Sequence, residues 1–101
     1  MSQIARGTAR LVAAEGEWKE YPPGTVYRCE IYLSSKDGGF VAAAALPGVI
    51  GRGESESEAL ENARQVAVEA VRSYQKTGRG IPWQQREPRA DEVLRVVIVQ
   101  P

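Results

Sequence analysis

The fold is decided at residues 37–48, which read DGGFVAAAALPG. The Asp-Gly pair near the start suits a two-residue hairpin turn, and the Pro-Gly pair at the end stops a strand because Pro cannot donate to a β-ladder. Between them, Phe40 to Ala45 form a strand of small apolar residues without a polar side chain. Alanine on both faces of a strand indicates that another element packs close against it. We therefore predict a scaffold strand inside a sheet.

Two further strands are predicted on either side of this stretch. Val26 to Leu33 alternates and is rich in β-branched and aromatic residues, which is typical of a strand with one buried face. The core face would hold Tyr27, Cys29, Ile31 and Leu33, and the opposite face Val26, Arg28, Glu30 and Tyr32. Val49 to Arg52 forms a short third strand. Because the links are short, we predict an antiparallel meander.

A long helix follows the third strand. Residues 55–58, Ser-Glu-Ser-Glu, match a capping box, in which the Ser55 hydroxyl accepts from the N–H of Glu58 and the Glu58 carboxylate accepts from the N–H of Ser55. The helix is predicted to run to about Lys76 and to end at Gly78 as its C-cap. Its predicted buried stripe consists of Leu60, Ala63, Ala67, Ala70, Val71 and Tyr74. Because this stripe is mostly alanine, the helix axis can lie close to the sheet.

The remaining segments complete an α+β domain. Residues 79–92 are polar and interrupted by Pro, which predicts a loop. Val93 to Val99 is almost continuously apolar, which is typical of a strand partly covered on both faces. We predict the order β-β-β-α-β over residues 26–101, with the last strand alongside the first and parallel to it after a right-handed crossover. Residues 1–25 form an N-terminal extension that could add an extra strand.

The composition argues against several function classes. Thirteen basic and 13 acidic residues give a net charge of zero, so the whole chain has no electrostatic attraction to nucleic acid. There is no His and a single Cys, Cys29, which excludes the usual zinc sites and an internal disulfide. No apolar run approaches the roughly 20 residues of a membrane span, and the N-terminus lacks a secretory core. We therefore expect a cytoplasmic protein without a cofactor or a membrane partner.

Residues 27–83 contain the motifs DGGFVA, LPGVIGRGES, SESEALENA and GRGIP, in this order. In this order and at this spacing they resemble the HicB family of antitoxin domains. The resemblance implies a truncated ribonuclease-H-like fold: a three-stranded antiparallel meander, one long helix and a further strand. It also implies that the domain binds and masks a HicA-type toxin, which is a small ribonuclease. Many HicB proteins add a C-terminal DNA-binding segment that represses their own operon.

The sequence departs from the HicB pattern in three places. Residues 39–46 are about one residue shorter than is usual in the family, and the Pro-acidic pair before LPG is missing. The N-terminal extension is unusual. No helix-turn-helix or ribbon-helix-helix follows the last strand, so we do not expect DNA binding or autoregulation.

The sequence lacks the groups of residues that catalysis would need. Glu30 could supply the first carboxylate of a ribonuclease-H-type metal site, but the second strand carries no acid to join it. Cys29 falls on the core face and has no His to act as its base. Residues 48–53, GVIGRG, lack the Lys of a phosphate loop and lead into three glutamates. We predict no catalytic residue, no metal ligand and no enzyme.

Binding residues are instead predicted on the face of the sheet away from the helix, where Arg28, Glu30, Tyr32 and the outward side of the last strand lie. Further candidate partner contacts are Phe40, Leu46 and Pro47. A nucleic-acid patch would use Arg79, Arg86 and Arg89. The leading hypothesis is a non-enzymatic HicB-like antitoxin that also forms a homo-oligomer, a dimer or higher. An orphan homo-oligomeric module that binds another protein or a small ligand comes second, a nucleic-acid binder third and a hydrolase last.

Overall fold

A computed structural model of the chain describes residues 25–101, so the predicted N-terminal extension lies almost entirely outside the described residues. The elements are β1 (Tyr27–Lys36), β2 (Gly39–Ala44), β3 (Ile50–Gly53), α1 (Glu56–Thr77) and β4 (Glu92–Val99). The four strands form one antiparallel sheet in the order β3-β2-β1-β4. The predicted α+β class, the β-β-β-α-β order and the place of β4 beside β1 are confirmed.

The turn between β1 and β2 is the predicted two-residue hairpin. Lys36 pairs with Gly39, and the two residues between them have positive φ, 52° at Asp37 and 81° at Gly38. This conformation matches the right-handed twist of the two strands, and Gly adopts it without a steric cost. The turn sets the register in which Ile31 lies opposite Ala44.

The predicted direction of β4 is wrong, because β4 runs antiparallel to β1. Tyr27 pairs with Val99, and Ser34 pairs with Glu92. The reason is the path of residues 78–91. The helix ends near the start of β1, where Gln75 Nε2 donates to Tyr27 Oη over 3.1 Å, and the chain then returns along the other face of the sheet, where the Arg86 N–H donates to Tyr32 Oη over 2.7 Å. Consequently β4 begins at the far end of β1 and runs back.

Both ends of α1 are capped by side-chain or backbone groups. Ser55 Oγ accepts from the Glu58 N–H over 3.1 Å, as predicted. The Glu58 carboxylate accepts from the N–H of Glu54 over 2.7 Å, one residue before the predicted Ser55. Gly78 ends the helix in the left-handed region, with φ 70°, and its N–H donates to the Gln75 carbonyl. Because caps of this kind satisfy groups that the helix itself cannot, they fix where it begins and ends.

α1 packs almost in backbone contact with β3. A Cβ atom added to Gly51 would lie 2.2 Å from the Ala63 nitrogen, and one added to Gly53 would lie 2.7 Å from the Ala59 nitrogen. The buried stripe of α1 consists of Ala59, Ala63, Ala67, Val68 and Val71. The prediction missed Ala59 and Val68 and included Leu60, Ala70 and Tyr74, which are only partly buried. On the α1 side of the sheet, β4 is left partly uncovered, since Val93 is 48% exposed.

Candidate functional site

The candidate site is the open face, by which we mean the face of the sheet opposite α1. Strand pairing places alternate residues of all four strands on it: Arg28, Glu30, Tyr32, Ser34, Val41, Ala43, Ile50, Arg52, Glu92, Leu94, Val96 and Ile98. The odd-numbered residues of β1 face α1 and are buried in the core as predicted: Tyr27, Cys29, Ile31 and Leu33.

Residues 84–91 cross the open face and bury its centre. The Gln84 N–H donates to the Ala45 carbonyl over 2.9 Å, and the Arg86 guanidinium carbon lies 4.0 Å above the centre of the Tyr32 ring. Tyr32 is 2% exposed, so the prediction that it is open to a partner is corrected. The ring and the guanidinium form a cation–π pair, which keeps this segment against the sheet.

Glu92 holds Arg86 in that position. Its carboxylate accepts from both guanidinium Nη atoms, at 2.7 and 3.0 Å, and from the Arg89 N–H at 2.8 Å. These donors favour the charged form of the carboxyl and lower its pKa from 4.5 to about 2, the hydrogen bond from Arg86 having the largest effect. The Glu92 side chain is 8% exposed, so this anchor is shielded from solvent.

A polar groove lies on the open face beside this anchor. It has a volume of about 600 Å³, and its charged lining residues are Lys36, Arg52, Arg86, Arg89, Asp91 and Glu92. Two members of the predicted nucleic-acid patch, Arg86 and Arg89, therefore come together. Arg79 follows the C-cap of α1 at the opposite end of the sheet and does not join them. Lys36 and Arg52 were missed because only the fold brings them to the same groove.

A strip of exposed apolar side chains runs along β4 on the same face. We call Leu94, Val96 and Ile98 the β4 strip; they are 42%, 41% and 50% exposed. Val93, on the α1 side of the same strand, is 48% exposed. The prediction that β4 is partly covered on both faces holds for the α1 side, where Val97 packs against the core and Val99 is buried, and is wrong for the open face in the described residues. The outward side of the last strand was predicted as part of the binding face, but its three residues were not singled out.

The other predicted partner contacts divide into accessible and inaccessible residues. Arg28 is exposed opposite Ile98, Glu30 is half-buried opposite Val96, and Pro47 is exposed in the turn after β2. Phe40 lies on the α1 side of β2 and packs against the core, and Leu46 is 2% exposed. Those two side chains therefore belong to the core and do not contribute to a binding surface.

Cys29 is unsuited to nucleophilic chemistry. Its side chain is fully buried, and burial raises the pKa of the thiol to about 11. Only the thiolate is a good nucleophile, so this group is unreactive near neutral pH. Within residues 25–101 no three His, Cys, Asp or Glu side chains are grouped as metal ligands would be, and α1 is not apolar enough to cross a membrane.

Comparison of the chain with known protein families, curated proteins and solved structures gives no match.

Proposed function

We propose that this chain is a non-enzymatic protein-binding domain whose partner docks on the open face along the β4 strip. The observation that carries the proposal is the exposure of Leu94, Val96 and Ile98 side by side on an eight-residue strand. Contiguous exposed apolar side chains with a polar rim mark association surfaces in soluble domains. Arg28 and Glu30 lie directly opposite strip residues in the sheet and supply such a rim.

The partner that we propose is a HicA-type toxin, in the cytoplasm. The support is the order and spacing of the motifs in residues 27–83, which resemble HicB domains. An antitoxin of this kind acts by covering its target, so it needs a complementary surface and no catalytic group. A flat strip on a strand that packs in a rigid sheet suits that task because little ordering of side chains is needed on binding.

The polar groove favours a second candidate, the binding of a nucleic-acid strand or another polyanion. Arg86 is neutralised by Glu92, which leaves Lys36, Arg52 and Arg89 against Asp91. Arginine suits phosphate because its planar guanidinium can donate two parallel hydrogen bonds. We rank this function below protein binding, since the excess of positive charge is small and the whole chain is neutral.

A pull-down with a matched control tests the proposed function. The tagged chain is co-expressed with a catalytically inactive HicA-type toxin, taken from a neighbouring reading frame if that frame codes for one, and the captured toxin is quantified for wild type, Ile98→Asp and Val66→Asp. Val66 is 42% exposed on α1, so its substitution adds the same charge at a similarly exposed apolar site away from the open face. We expect capture by wild type and Val66→Asp, and at least a tenfold loss with Ile98→Asp, because a charge would be buried without a partner.

Equal capture by Ile98→Asp and wild type would rule out the β4 strip as the docking surface. The antitoxin role would be contradicted if no neighbouring frame coded for such a toxin, or if no form captured it while all three were folded by circular dichroism. The polyanion function is tested separately by titrating a single-stranded oligonucleotide at two salt concentrations. That binding should weaken with salt and should be reduced in Arg52→Gln and Arg89→Gln.

A further inference from the structure

The outer edge of β4 presents a row of backbone groups that no neighbouring strand pairs with among residues 25–101. The Glu30 carbonyl bonds to the Ala45 N–H, so even-numbered residues of β1 direct their backbone groups toward β2 and odd-numbered ones toward β4. Since odd residues of β1 lie opposite odd residues of β4, the backbone groups of Val93, Arg95 and Val97 bond to β1. The N–H and C=O groups of Leu94, Val96 and Ile98 therefore point outward, away from the sheet.

The same three residues carry the exposed side chains of the β4 strip. The edge thus combines backbone groups that have no strand partner with apolar side chains on an eight-residue strand. Natural sheets usually protect such an edge with a charge, a Pro, a bulge or a covering element. Of the two charged residues in this strand, Glu92 binds Arg86, and Arg95 lies on the α1 side, where its Nη2 pairs with Glu56 at 3.5 Å. Arg95 Nη1 also donates to the Leu94 carbonyl over 3.3 Å, so a charged side chain reaches one outward group of the edge but not those of Val96 and Ile98.

The opposite edge of the sheet is protected. β3 has four residues, and its outward carbonyl at Arg52 accepts a hydrogen bond from Asn62 Nδ2 of α1 over 2.6 Å. A short edge strand that is hydrogen-bonded by a side chain of its own helix has few backbone groups available for pairing with another chain. The contrast between the two edges singles out β4 as the one available for strand pairing.

We propose that β4 pairs antiparallel with β4 of a second copy, about a two-fold axis through Val96, to form a continuous eight-stranded sheet. In this register Val96 lies opposite Val96 of the second copy, Leu94 opposite its Ile98, and Val93 opposite its Val99. Every outward N–H and C=O of the strip then gains a strand partner, with the Leu94 carbonyl exchanging its bond from Arg95 Nη1 for one from the second copy. The two strips join into one apolar band on the open face. This inference goes beyond the proposed function, because it concerns the edge of β4 and needs no toxin.

Charge and shape both select a second copy as the occupant. No like charges face each other in this register, since Arg95 lies opposite Val97 and Glu92 lies opposite Gln100 of the second copy. A shift that centred the axis on Arg95 would place two guanidinium groups opposite each other, which is unfavourable. On the α1 side of β4, Val93 is 48% exposed, and in this register it lies opposite Val99 of the second copy, which matches one apolar side chain with another.

Disulfide trapping tests both the pairing and its register. In a hydrogen-bonded antiparallel pair the Cα atoms are about 5.5 Å apart, which falls within the range for a disulfide. We expect Val96→Cys to form a covalent dimer under mild oxidation. Leu94→Cys should not crosslink to itself, but a mixture of Leu94→Cys and Ile98→Cys should. Val66→Cys is the exposed control, and native Cys29 is fully buried and does not compete.

Val96→Pro distinguishes backbone pairing at the edge of β4 from contact through the side chains of the β4 strip. Val96→Pro removes only an outward N–H, so the bonds between β1 and β4 stay intact, whereas Val97→Pro removes a bond to β1 and should destabilise the fold. We expect wild type to be dimeric by light scattering and Val96→Pro to be folded, with a dimer dissociation constant raised about tenfold or more, since two symmetry-related hydrogen bonds are lost.

Three results would overturn the proposal: a monomeric wild type at all concentrations, a Val96→Pro dimer as tight as wild type, or Val96→Cys that crosslinks no better than Val66→Cys. Occupation of the edge by residues 1–24 of the same chain would give the first and third results together. The outcome is independent of the toxin experiment. A chain that dimerises but captures no toxin contradicts only the proposed function, and a monomer that captures toxin contradicts only the edge pairing.

Discussion

Replacing Gly51 with alanine tests whether the close approach of α1 to β3 holds the domain together. Gly51 has no positive φ, so its backbone can accept alanine without torsional strain. On that ground alone the substitution would stabilise the fold by about 0.4–1 kcal/mol, because alanine restricts the unfolded chain more than glycine does. Packing acts in the opposite direction, and the two effects differ enough in size to decide the sign.

The packing cost follows from three distances. The new Cβ would lie 2.2 Å from the Ala63 nitrogen, 2.6 Å from the Ala59 oxygen and 2.7 Å from the Ala63 Cα, against an ordinary contact of at least 3.4 Å. The shortfall is about 1.2 Å, and all three atoms belong to the helix backbone, so no side chain can rotate away. α1 must move off the sheet and lose contacts along its whole buried stripe. We expect a net loss of roughly 3 kcal/mol in the free energy of unfolding, at the upper end of overpacking effects.

Urea unfolding followed by circular dichroism measures this loss. The control is Gly38→Ala, which has φ 81° and no atom within 4 Å of the new Cβ, so it should cost only the backbone strain of about 1 kcal/mol. A second variant, Gly51→Ala with Ala63→Gly, should not recover stability, because the clash is with backbone. Similar m-values would show that all forms expose the same amount of surface on unfolding, so that their free energies of unfolding can be compared. A Gly51→Ala protein within 0.5 kcal/mol of wild type would refute the reasoning.

Two further predictions concern titratable groups. Because the pKa of Glu92 is lowered to about 2, its stabilisation is complete above the ordinary value of 4.5 and is lost as the pH falls from 4.5 toward 2. We expect Glu92→Gln to be less stable than wild type by about 1 kcal/mol at pH 7, after allowance for solvent screening of Arg86, and equally stable near pH 2; a difference that stays constant with pH would contradict the anchoring role. Cys29, with its buried thiol of pKa about 11, should react with a disulfide reagent at pH 8 only when urea unfolds the chain, and rapid stoichiometric labelling of the native protein would be inconsistent with the structure.

Local signals in the sequence were sufficient for most of the fold. The hairpin at Asp37 and Gly38, the N-cap at Ser55 and the C-cap at Gly78 each depend on residues within a few positions, and each is where the sequence predicts it. The alternation in β1 likewise placed Cys29 and Ile31 in the core. Such features are set by turn and cap chemistry, which nearest neighbours determine.

The direction of β4 and the shape of the open face could not be read in this way. Both depend on residues 84–91, whose path is fixed by contacts with distant residues: the Arg86 N–H with Tyr32 and the Gln84 N–H with Ala45. The same path buries Tyr32. An apolar run such as Val93 to Val99 is compatible with a covered strand or with an unprotected edge strand. The spacing of apolar residues along a strand does not show whether another element packs against it. The β4 strip therefore emerged only from the sheet order.

The order of the sheet has a consequence for synthesis of the chain on the ribosome. β1 occupies an inner position, yet its neighbour on one side, β4, is made more than fifty residues later. Until residues 92–99 are translated, the edge of β1 that will pair with β4 is uncovered, and the backbone groups of Cys29, Ile31 and Leu33 lack the strand partners that β4 supplies. Nascent chains in that state can pair with one another or engage a chaperone. Translation of the last strand is therefore the step that ends the exposure of the domain to misassembly.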